Sequence, residues 1–84
     1  MWYVYMLECR NGAYYTGATN DVARRVEKHK KGLGGKFTRA FGVRRLAYKK
    51  KCADKSAALK REAAIKKMTR LAKKEMVGKW SEIL

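Results

Sequence analysis

The stretch Trp2-Tyr3-Val4-Tyr5-Met6-Leu7 and the stretch Tyr14-Tyr15-Thr16-Gly17 decide the fold of this 84-residue chain. Both are dominated by aromatic and β-branched residues, a composition typical of β-strands. Asn11-Gly12 lies between them, and this dipeptide is a strong signal for a tight turn. The first 17 residues therefore predict a β-hairpin, and the remaining elements are expected to pack around it.

The rest of the chain predicts one more strand and three helices. Asp21 is a candidate N-cap for a first helix that ends before Gly32, and the glycine-containing segment that follows predicts a basic loop. We predict an α+β fold, a small three-stranded antiparallel sheet flanked by helices in the order β-β-α-β-α-α, as a single domain over residues 1–84. The predicted ranges are a helix at 22–31, a loop at 33–42, a strand at 45–49, a helix at 55–68 opened by Asp54 or Ser56, and a helix capped by Thr69 that runs to Val77 before Gly78.

The charge of the chain narrows the class of partner. Lysine and arginine number 22 against 7 aspartates and glutamates, which gives a net charge of +15 with histidine neutral. A surface with this excess attracts polyanions, and nucleic acid is the partner we expect. No apolar run approaches the roughly 18 residues of a membrane span, and the first residues lack the pattern of a signal peptide. We therefore predict a cytoplasmic protein without a membrane partner.

Cysteine and histidine usage does not favour a zinc site. Cys9 and Cys52 are the only cysteines, they form no Cys-x-x-Cys pair, and His29 is the single histidine. In a reducing compartment two widely separated cysteines are usually buried thiols, although counting alone leaves a disulfide open. No motif for a small-molecule cofactor is present.

The predicted first helix places two side chains with functional potential on its inner face. At about 100° per residue, Arg25 and His29 lie on the same side as Val22, whereas Arg24 and Lys28 point away. Of the two adjacent arginines, Arg25 is thus the one expected beside the core. Arg25 could also be a surface arginine whose stem packs on the sheet, and His29 could have a purely structural role.

The predicted helix at 55–68 carries a carboxylate on an apolar stripe. Glu62 falls on the same side as Ala58, Leu59 and Ile65, while Lys66 could form an ordinary i,i+4 ion pair with it. Each of the other acidic residues has a more ordinary explanation, as a cap, at the hairpin end, on an outer helix face or in the basic C-terminal segment: Asp21, Asp54, Glu8, Glu27, Glu75 and Glu82. Glu62 is the one carboxylate that suits a buried ligand.

Taken in order, these segments resemble the GIY-YIG nuclease superfamily. Tyr-Val-Tyr at 3–5 and Tyr-Thr-Gly at 15–17 are similar to its two tyrosine motifs, residues 20–25 with His29 to its arginine helix, and residues 58–62 to its glutamate helix. The likeness is greatest to the small single-domain branch, related to the nuclease domain of structure-specific endonuclease subunits. It implies a metal-dependent endonuclease that hydrolyses phosphodiester bonds in DNA, with a role of the DNA repair or recombination type.

A shared active site constrains the hairpin loop. With a two-residue loop, Tyr5 and Tyr15 would lie on opposite faces, because side chains alternate along a strand. A three-residue loop with Gly12 in the left-handed conformation and a bulge puts both tyrosines on one face and Gly17 opposite Tyr5. We predict this second arrangement, and we expect Gly17 to leave space above Tyr5 for a phosphate.

The resemblance also implies roles for the site residues. Glu62 would hold one Mg²⁺ or Mn²⁺ ion, since a lone carboxylate cannot assemble a two-metal site. Tyr5 would accept a proton from the attacking water, which requires positive charge from the metal, Arg25 or Lys36 to lower a tyrosine pKa of about 10. Arg25 would neutralise charge on the phosphate in the transition state, and Tyr15 and His29 would orient the water or the phosphate.

The basic residues outside this group are expected to contact the nucleic-acid backbone without recognising sequence. They are Lys36, Arg39, Arg44, Arg45 and Lys49 to Lys51.

The sequence departs from the family pattern at three points. Tyr3 stands where a glycine is typical, Thr16 stands where an isoleucine is typical, and a late asparagine has no clear counterpart. The missing asparagine makes dependence on a partner subunit or on a particular DNA structure an open alternative. The chief rival hypothesis is a non-catalytic basic nucleic-acid-binding module, which explains the lysines but leaves the ordered tyrosine, arginine and glutamate set to chance.

Overall fold

The computed structural model describes residues 1–83, with side chains for residues 1–80. It confirms the α+β fold, with three antiparallel strands and flanking helices, and adds one short helix to the predicted order. The elements are β1 (Trp2–Cys9), β2 (Tyr14–Thr19), α1 (Val22–Lys30), α2 (Lys36–Phe41), β3 (Val43–Cys52), α3 (Lys55–Lys66) and α4 (Arg70–Ile83).

The sheet has the order β2-β1-β3, so the first strand is central. Residues Val4 to Leu7 of β1 are completely buried, as their unbroken run of apolar and aromatic side chains requires. Val4 and Met6 pack on one face with Ile65 of α3 and Val77 of α4. Tyr5 and Leu7 alternate with them and pack on the other face, against Val22 of α1.

The hairpin has the three-residue loop that the shared-face argument predicts. Cys9 donates its backbone N–H to Ala13 at 2.8 Å, and Gly12 has a φ of 85°. Tyr5 is paired with Gly17 and Leu7 with Tyr15 in the β1–β2 register. Tyr5 and Tyr15 therefore lie on one face of the sheet, and this prediction is confirmed.

The helix caps agree with the sequence. The side chain of Asp21 accepts the backbone N–H of Arg24, and Asp54, rather than Ser56, accepts that of Ala57. Thr69 accepts the backbone N–H of Ala72 at 3.1 Å. Each cap satisfies a backbone donor that the first turn of a helix leaves without an intrahelical partner.

The predicted loop at 33–42 is wrong over its second half. Lys36–Phe41 forms α2, a helix of only 6 residues between Gly35 and Gly42. One and a half turns are too short to give a clear helical period, so the three glycines dominated the prediction. The helix exists because Thr38 is buried against α1, which is a tertiary contact that no local pattern contains.

Two further expectations are corrected. The last helix does not stop before Gly78 but continues to Ile83, because a single glycine costs a helix only about 1 kcal/mol and does not by itself end it. Leu59 does not join the inner stripe of α3, since 47% of it is exposed. The side chain of Glu82 lies outside the described residues.

Both cysteines are free thiols, Cys9 buried and Cys52 half-buried. Among the described residues, no helix combines the length and apolar character needed to cross a membrane.

Candidate active site

The hairpin brings the two tyrosines of the predicted site side by side. The ring centroids of Tyr5 and Tyr15 are 6.4 Å apart. Tyr5 is buried, whereas Tyr15 is half-buried on the edge strand β2. The site therefore has a buried hydroxyl at its base and a more accessible aromatic ring at its rim.

Gly17 is required by Tyr5 itself. A Cβ atom built on Gly17 would lie 2.6 Å from the Tyr5 hydroxyl oxygen and 2.7 Å from Cζ of the ring. The expectation that Gly17 leaves space for a phosphate is therefore wrong, because the ring of Tyr5 fills that space. The glycine instead lets the tyrosine ring lie across β2 and direct its hydroxyl towards α1.

We expect Gly17→Ala to lower the free energy of unfolding by about 1–3 kcal/mol, the usual cost of overpacking. The added methyl group must displace the Tyr5 ring, so loss of the site should accompany the loss of stability. Urea unfolding measures the effect, with Gly78→Ala as the control. Alanine at Gly78 meets nothing within 4 Å and should stabilise α4 by up to about 1 kcal/mol. Equal midpoints for Gly17→Ala and the wild type would contradict this packing.

Helix α1 supplies His29, which is 1% exposed and lies behind Tyr5. Its Nε2 atom is 3.0 Å from the Tyr5 hydroxyl oxygen, and its Nδ1 atom is 2.7 Å from Oγ1 of Thr38 on α2. The Tyr15 ring centroid is 4.8 Å from that of His29. Burial, and then the charge of Arg25, lower the pKa of His29 below its ordinary value. His29 is therefore a neutral imidazole at neutral pH.

Arg25 is exposed but close enough for its charge to act on both Tyr5 and His29. It lines a polar depression of about 470 Å³ together with Arg24 and Lys28. The helical-wheel prediction that Arg24 and Lys28 lie on the outer side of α1 agrees with their exposure, but the expectation that Arg25 lies beside the core is wrong, because Arg25 is exposed as well. Asp21, the N-cap of α1, lines the same depression. Three positive side chains converge on one concave surface, which is suited to a phosphate.

The environment of Tyr5 opposes its ionisation. Burial, reinforced by Tyr15, raises the pKa of Tyr5 to about 12, and Arg25 only partly counteracts this increase. Glu62 raises the pKa further, which places its charge within electrostatic reach of Tyr5. The expectation that neighbouring positive charge favours the phenolate does not hold for these side chains, so Tyr5 is a neutral phenol at neutral pH.

Glu62 lies on α3, with 19% of its side chain exposed. One carboxylate oxygen, Oε2, is 2.6 Å from Nζ of Lys66, so the i,i+4 ion pair allowed by the sequence is present. This hydrogen bond is the main reason that the pKa of Lys66 is raised. Among the described residues no three His, Cys, Asp or Glu side chains converge. A cation held at Glu62 would therefore find fewer than three side chains of these types.

Of the seven predicted backbone-contact residues, Lys49, Lys50 and Lys51 are exposed on β3, and the other four divide into two groups. Lys36 and Arg39 lie on α2, where both are exposed. Arg44 and Arg45 lie on β3 and both pair with Glu8, at 3.1 Å and 2.7 Å. The first pair belongs to the same helix as Thr38, whereas the second pair is partly neutralised at the hairpin end of the sheet.

Two residues near the site were missed by sequence reasoning because they lie on the unpredicted helix. Thr38 contacts His29, as described above. Phe37 is 38% exposed, and its ring centroid is 6.3 Å from that of Tyr15. The sequence did contain one signal for this helix: the six residues between Gly35 and Gly42, Lys-Phe-Thr-Arg-Ala-Phe, include no glycine.

Comparison with known proteins bears on this arrangement. The family model described as the GIY-YIG catalytic domain matches residues 1–75. The chain belongs to the GIY-YIG family. The resemblance drawn from the tyrosine, arginine and glutamate segments is thereby confirmed.

The relatives of this GIY-YIG chain include several UPF0213 proteins. UPF0213 protein BH0048 of Halalkalibacterium halodurans is 43% identical over 76 residues, which cover 90% of this chain and 81% of that protein. A UPF0213 protein of Streptococcus sanguinis is 48% identical over 71 residues, or 84% and 82% of the two chains. The solution NMR structure of UPF0213 protein BH0048 from Bacillus halodurans matches with a TM-score of 0.58 at 42% identity, covering 93% of this chain and 84% of that one.

Membership of the GIY-YIG family implies a nuclease-type function and a nucleic-acid substrate. The roles of Tyr5, Tyr15, Arg25, His29 and Glu62 come from the sequence and from their placement. These roles are proposals.

Proposed function

We propose that this GIY-YIG chain is a structure-specific DNA endonuclease of the repair or recombination type, which hydrolyses one phosphodiester bond at a time with a single divalent metal ion. The observation that carries the proposal is the buried contact of 3.0 Å between the Tyr5 hydroxyl and Nε2 of His29, beside the exposed guanidinium of Arg25. A purely nucleic-acid-binding surface has no need of a buried phenol coupled to a neutral imidazole.

The first step is activation of water. Because Tyr5 is a neutral phenol, it can accept a proton from water only if it gives up its own. In our scheme the hydroxyl proton of Tyr5 moves to Nε2 of His29 as a water proton moves to the Tyr5 oxygen. The water oxygen forms its bond to phosphorus, and the bond to the leaving 3′ oxygen breaks with its electron pair. His29 ends as an imidazolium and releases its extra proton to solvent, and the leaving 3′ oxygen takes up a proton from solvent, so that Tyr5 and His29 both end neutral.

Arg25 is proposed to bind the phosphate on which negative charge accumulates. Its guanidinium offers several donors in a fixed plane, and Arg24 and Lys28 line the same depression. An imidazolium beside Arg25 is disfavoured, so the arrangement also returns His29 to its neutral form after each turnover. Tyr15, at the rim, is positioned to orient the water or the phosphate.

Nucleases of this family generally use a divalent metal, and the donor set fits one. A single carboxylate that is 19% exposed suits Mg²⁺ or Mn²⁺, which keep several waters and take other ligands from the substrate phosphate. Glu62 would hold the ion, and Lys66 would shift from its carboxylate or share it. When bound, the ion supplies charge stabilisation at the scissile phosphate and at the leaving oxygen.

The remaining positive charge is proposed to position DNA. Lys36 and Arg39 on α2 extend the basic surface beyond the site, and Arg44 and Arg45 can contribute in spite of their pairing with Glu8. Such contacts set the position of the backbone without recognising bases. Selection of substrate would then depend on DNA structure, with the assistance of a partner subunit in the cell, rather than on sequence.

The test is a panel of end-labelled duplex, flap, branched and single-stranded DNA, with single-stranded RNA, each incubated with the purified chain in Mg²⁺ or in EDTA. We expect cleavage of at least one DNA structure in Mg²⁺ and none in EDTA, and the preferred substrate identifies the specificity. Salt-sensitive binding without cleavage of any substrate would favour the rival, a non-catalytic basic module. Cleavage that is undiminished in EDTA would exclude the metal.

A further inference from the structure

The hydroxyl of Thr38 stands directly behind the imidazole of His29. Thr38 is 1% exposed, and its Oγ1 atom is 2.7 Å from Nδ1 of His29. The same Oγ1 atom is 3.5 Å from the backbone carbonyl oxygen of Gly35, one turn earlier in α2. This buried hydroxyl can donate one hydrogen bond and can also accept one.

The placement of one hydrogen fixes the state of the histidine. A threonine hydroxyl carries a single hydrogen, whereas the Gly35 carbonyl can only accept one. If Thr38 donates to Gly35, as threonines in helices commonly do to a carbonyl in the preceding turn, its lone pairs face His29. Nδ1 of His29 must then carry the proton, and Nε2 presents a lone pair to the Tyr5 hydroxyl.

The imidazole ring is closely packed on two sides. A side chain on Gly34 would collide with the imidazole, since a Cβ atom built there would lie 2.6 Å from Cγ of His29 and 2.7 Å from Cε1. The backbone at Gly34 therefore packs closely on one side of the ring. Tyr15 lies on another, with the two ring centroids 4.8 Å apart. Only the position of the proton is left to be decided, and Thr38 decides it.

We propose that Thr38 is a positioning residue that keeps the proton of neutral His29 on Nδ1, so that Nε2 faces the Tyr5 hydroxyl as a proton acceptor. The tautomer follows from donation of the Thr38 hydroxyl hydrogen to the Gly35 carbonyl, and its catalytic consequence rests on the proposed function. The opposite tautomer would present an N–H group to Tyr5, and His29 could not then receive the phenolic proton.

The chain offers a clean measurement, because His29 is its only histidine. Long-range ¹H–¹⁵N NMR of the neutral imidazole reports which nitrogen carries the proton. We expect the wild type to carry it on Nδ1, and Thr38→Ser, which keeps the hydroxyl, to do the same. Thr38→Val keeps the shape but removes the acceptor, so the signals should move towards the Nε2-protonated form that free histidine prefers.

Thr16→Val is the matched control. Thr16 is also a buried threonine, but its hydroxyl has no hydrogen-bond partner within the described part of the chain. The same substitution there should leave the His29 tautomer and the cleavage rate unchanged. Thr38→Val should lower the single-turnover cleavage rate by about 10- to 100-fold, the usual effect of losing a partner that orients a functional histidine. Thr38→Ser should restore most of the rate.

The tautomer and the cleavage rate answer separate questions. An Nε2-protonated ring in the wild type, or an Nδ1-protonated ring in folded Thr38→Val, would overturn the role of Thr38 whether or not the chain cuts DNA. If Thr38→Val does not fold, Thr38→Ala removes the same hydroxyl without adding an apolar branch. The wild type could also be protonated on Nδ1, lose this state in Thr38→Val, and cut no nucleic acid. That result would support the proposed role of Thr38 and refute the proposed endonuclease function.

Discussion

Tyr5→Phe is expected to lower the single-turnover cleavage rate by about 10²- to 10⁴-fold, the range that loss of a general acid–base group usually produces. The ring that fills the space above Gly17 remains, so the change removes only the hydroxyl that accepts the water proton. Binding of DNA should change little, because the substitution leaves the depression lined by Arg24, Arg25 and Lys28 intact. Rates at saturating protein, with binding measured separately by fluorescence anisotropy, distinguish the two effects.

The same substitution should also affect stability. Nε2 of His29 loses its partner in a buried position, and an unsatisfied buried polar atom costs about 1–3 kcal/mol. Tyr14→Phe is the control. Tyr14 precedes Tyr15 in the sequence, but it packs on the opposite face of the sheet, against the core cluster that contains Met6. Tyr14→Phe should cleave normally. A Tyr5→Phe variant that is as active as Tyr14→Phe would remove Tyr5 from the mechanism.

Glu62→Ala is expected to abolish metal-dependent cleavage, with a loss of at least about 10²- to 10³-fold, comparable to removal of a single group that stabilises transition-state charge. Among the described residues, no group of three or more His, Cys, Asp or Glu side chains offers an alternative metal site. Affinity for DNA should be equal or higher, because the substitution removes one negative charge and releases Lys66 from its ion pair. Single-turnover rates over a series of Mg²⁺ concentrations measure the effect.

Glu75→Ala provides the matched control for Glu62→Ala. Glu75 is an exposed glutamate on α4, so its replacement makes the same change in net charge away from the site. We expect this variant to cleave at the wild-type rate. If the Glu62→Ala variant cleaves DNA at the full rate and still requires Mg²⁺, the metal is held elsewhere.

The sequence predicted the hairpin most fully because two independent constraints meet there. Strand propensity located β1 and β2, and the parity of side chains along a strand then required a three-residue loop for a shared site. Gly12 adopts the left-handed backbone that this loop needs. The caps Asp21, Asp54 and Thr69 were equally predictable, because a cap is a local interaction within one turn of chain.

The chemistry of the site was less predictable, since it depends on burial by distant elements. The sequence identified Tyr5 but suggested a lowered pKa, because neighbouring positive residues are visible in a sequence and desolvation is not. In the fold, burial is the larger effect and raises the pKa of Tyr5 to about 12. In the proposed mechanism this difference makes Tyr5 a proton carrier that needs His29, rather than a resident base.

Helix α2 shows the limit of pattern reasoning in another way. Its 6 residues are stabilised by the contact of Thr38 with His29, which lies nine residues earlier on a different helix. Neither residue predicts the other. The group that fixes the tautomer of His29 could therefore be found only once α1 and α2 were placed side by side.

The central claim is that Tyr5 and Glu62 serve one hydrolytic site, and the most direct test is the single-turnover cleavage rate of the Tyr5→Phe, Glu62→Ala double variant beside both single variants. Residues that act as a unit are strongly non-additive, so we predict that the double variant retains the residual rate of the slower single variant. Cleavage by the double variant at the wild-type rate, or losses that multiply as for independent sites, would contradict the account.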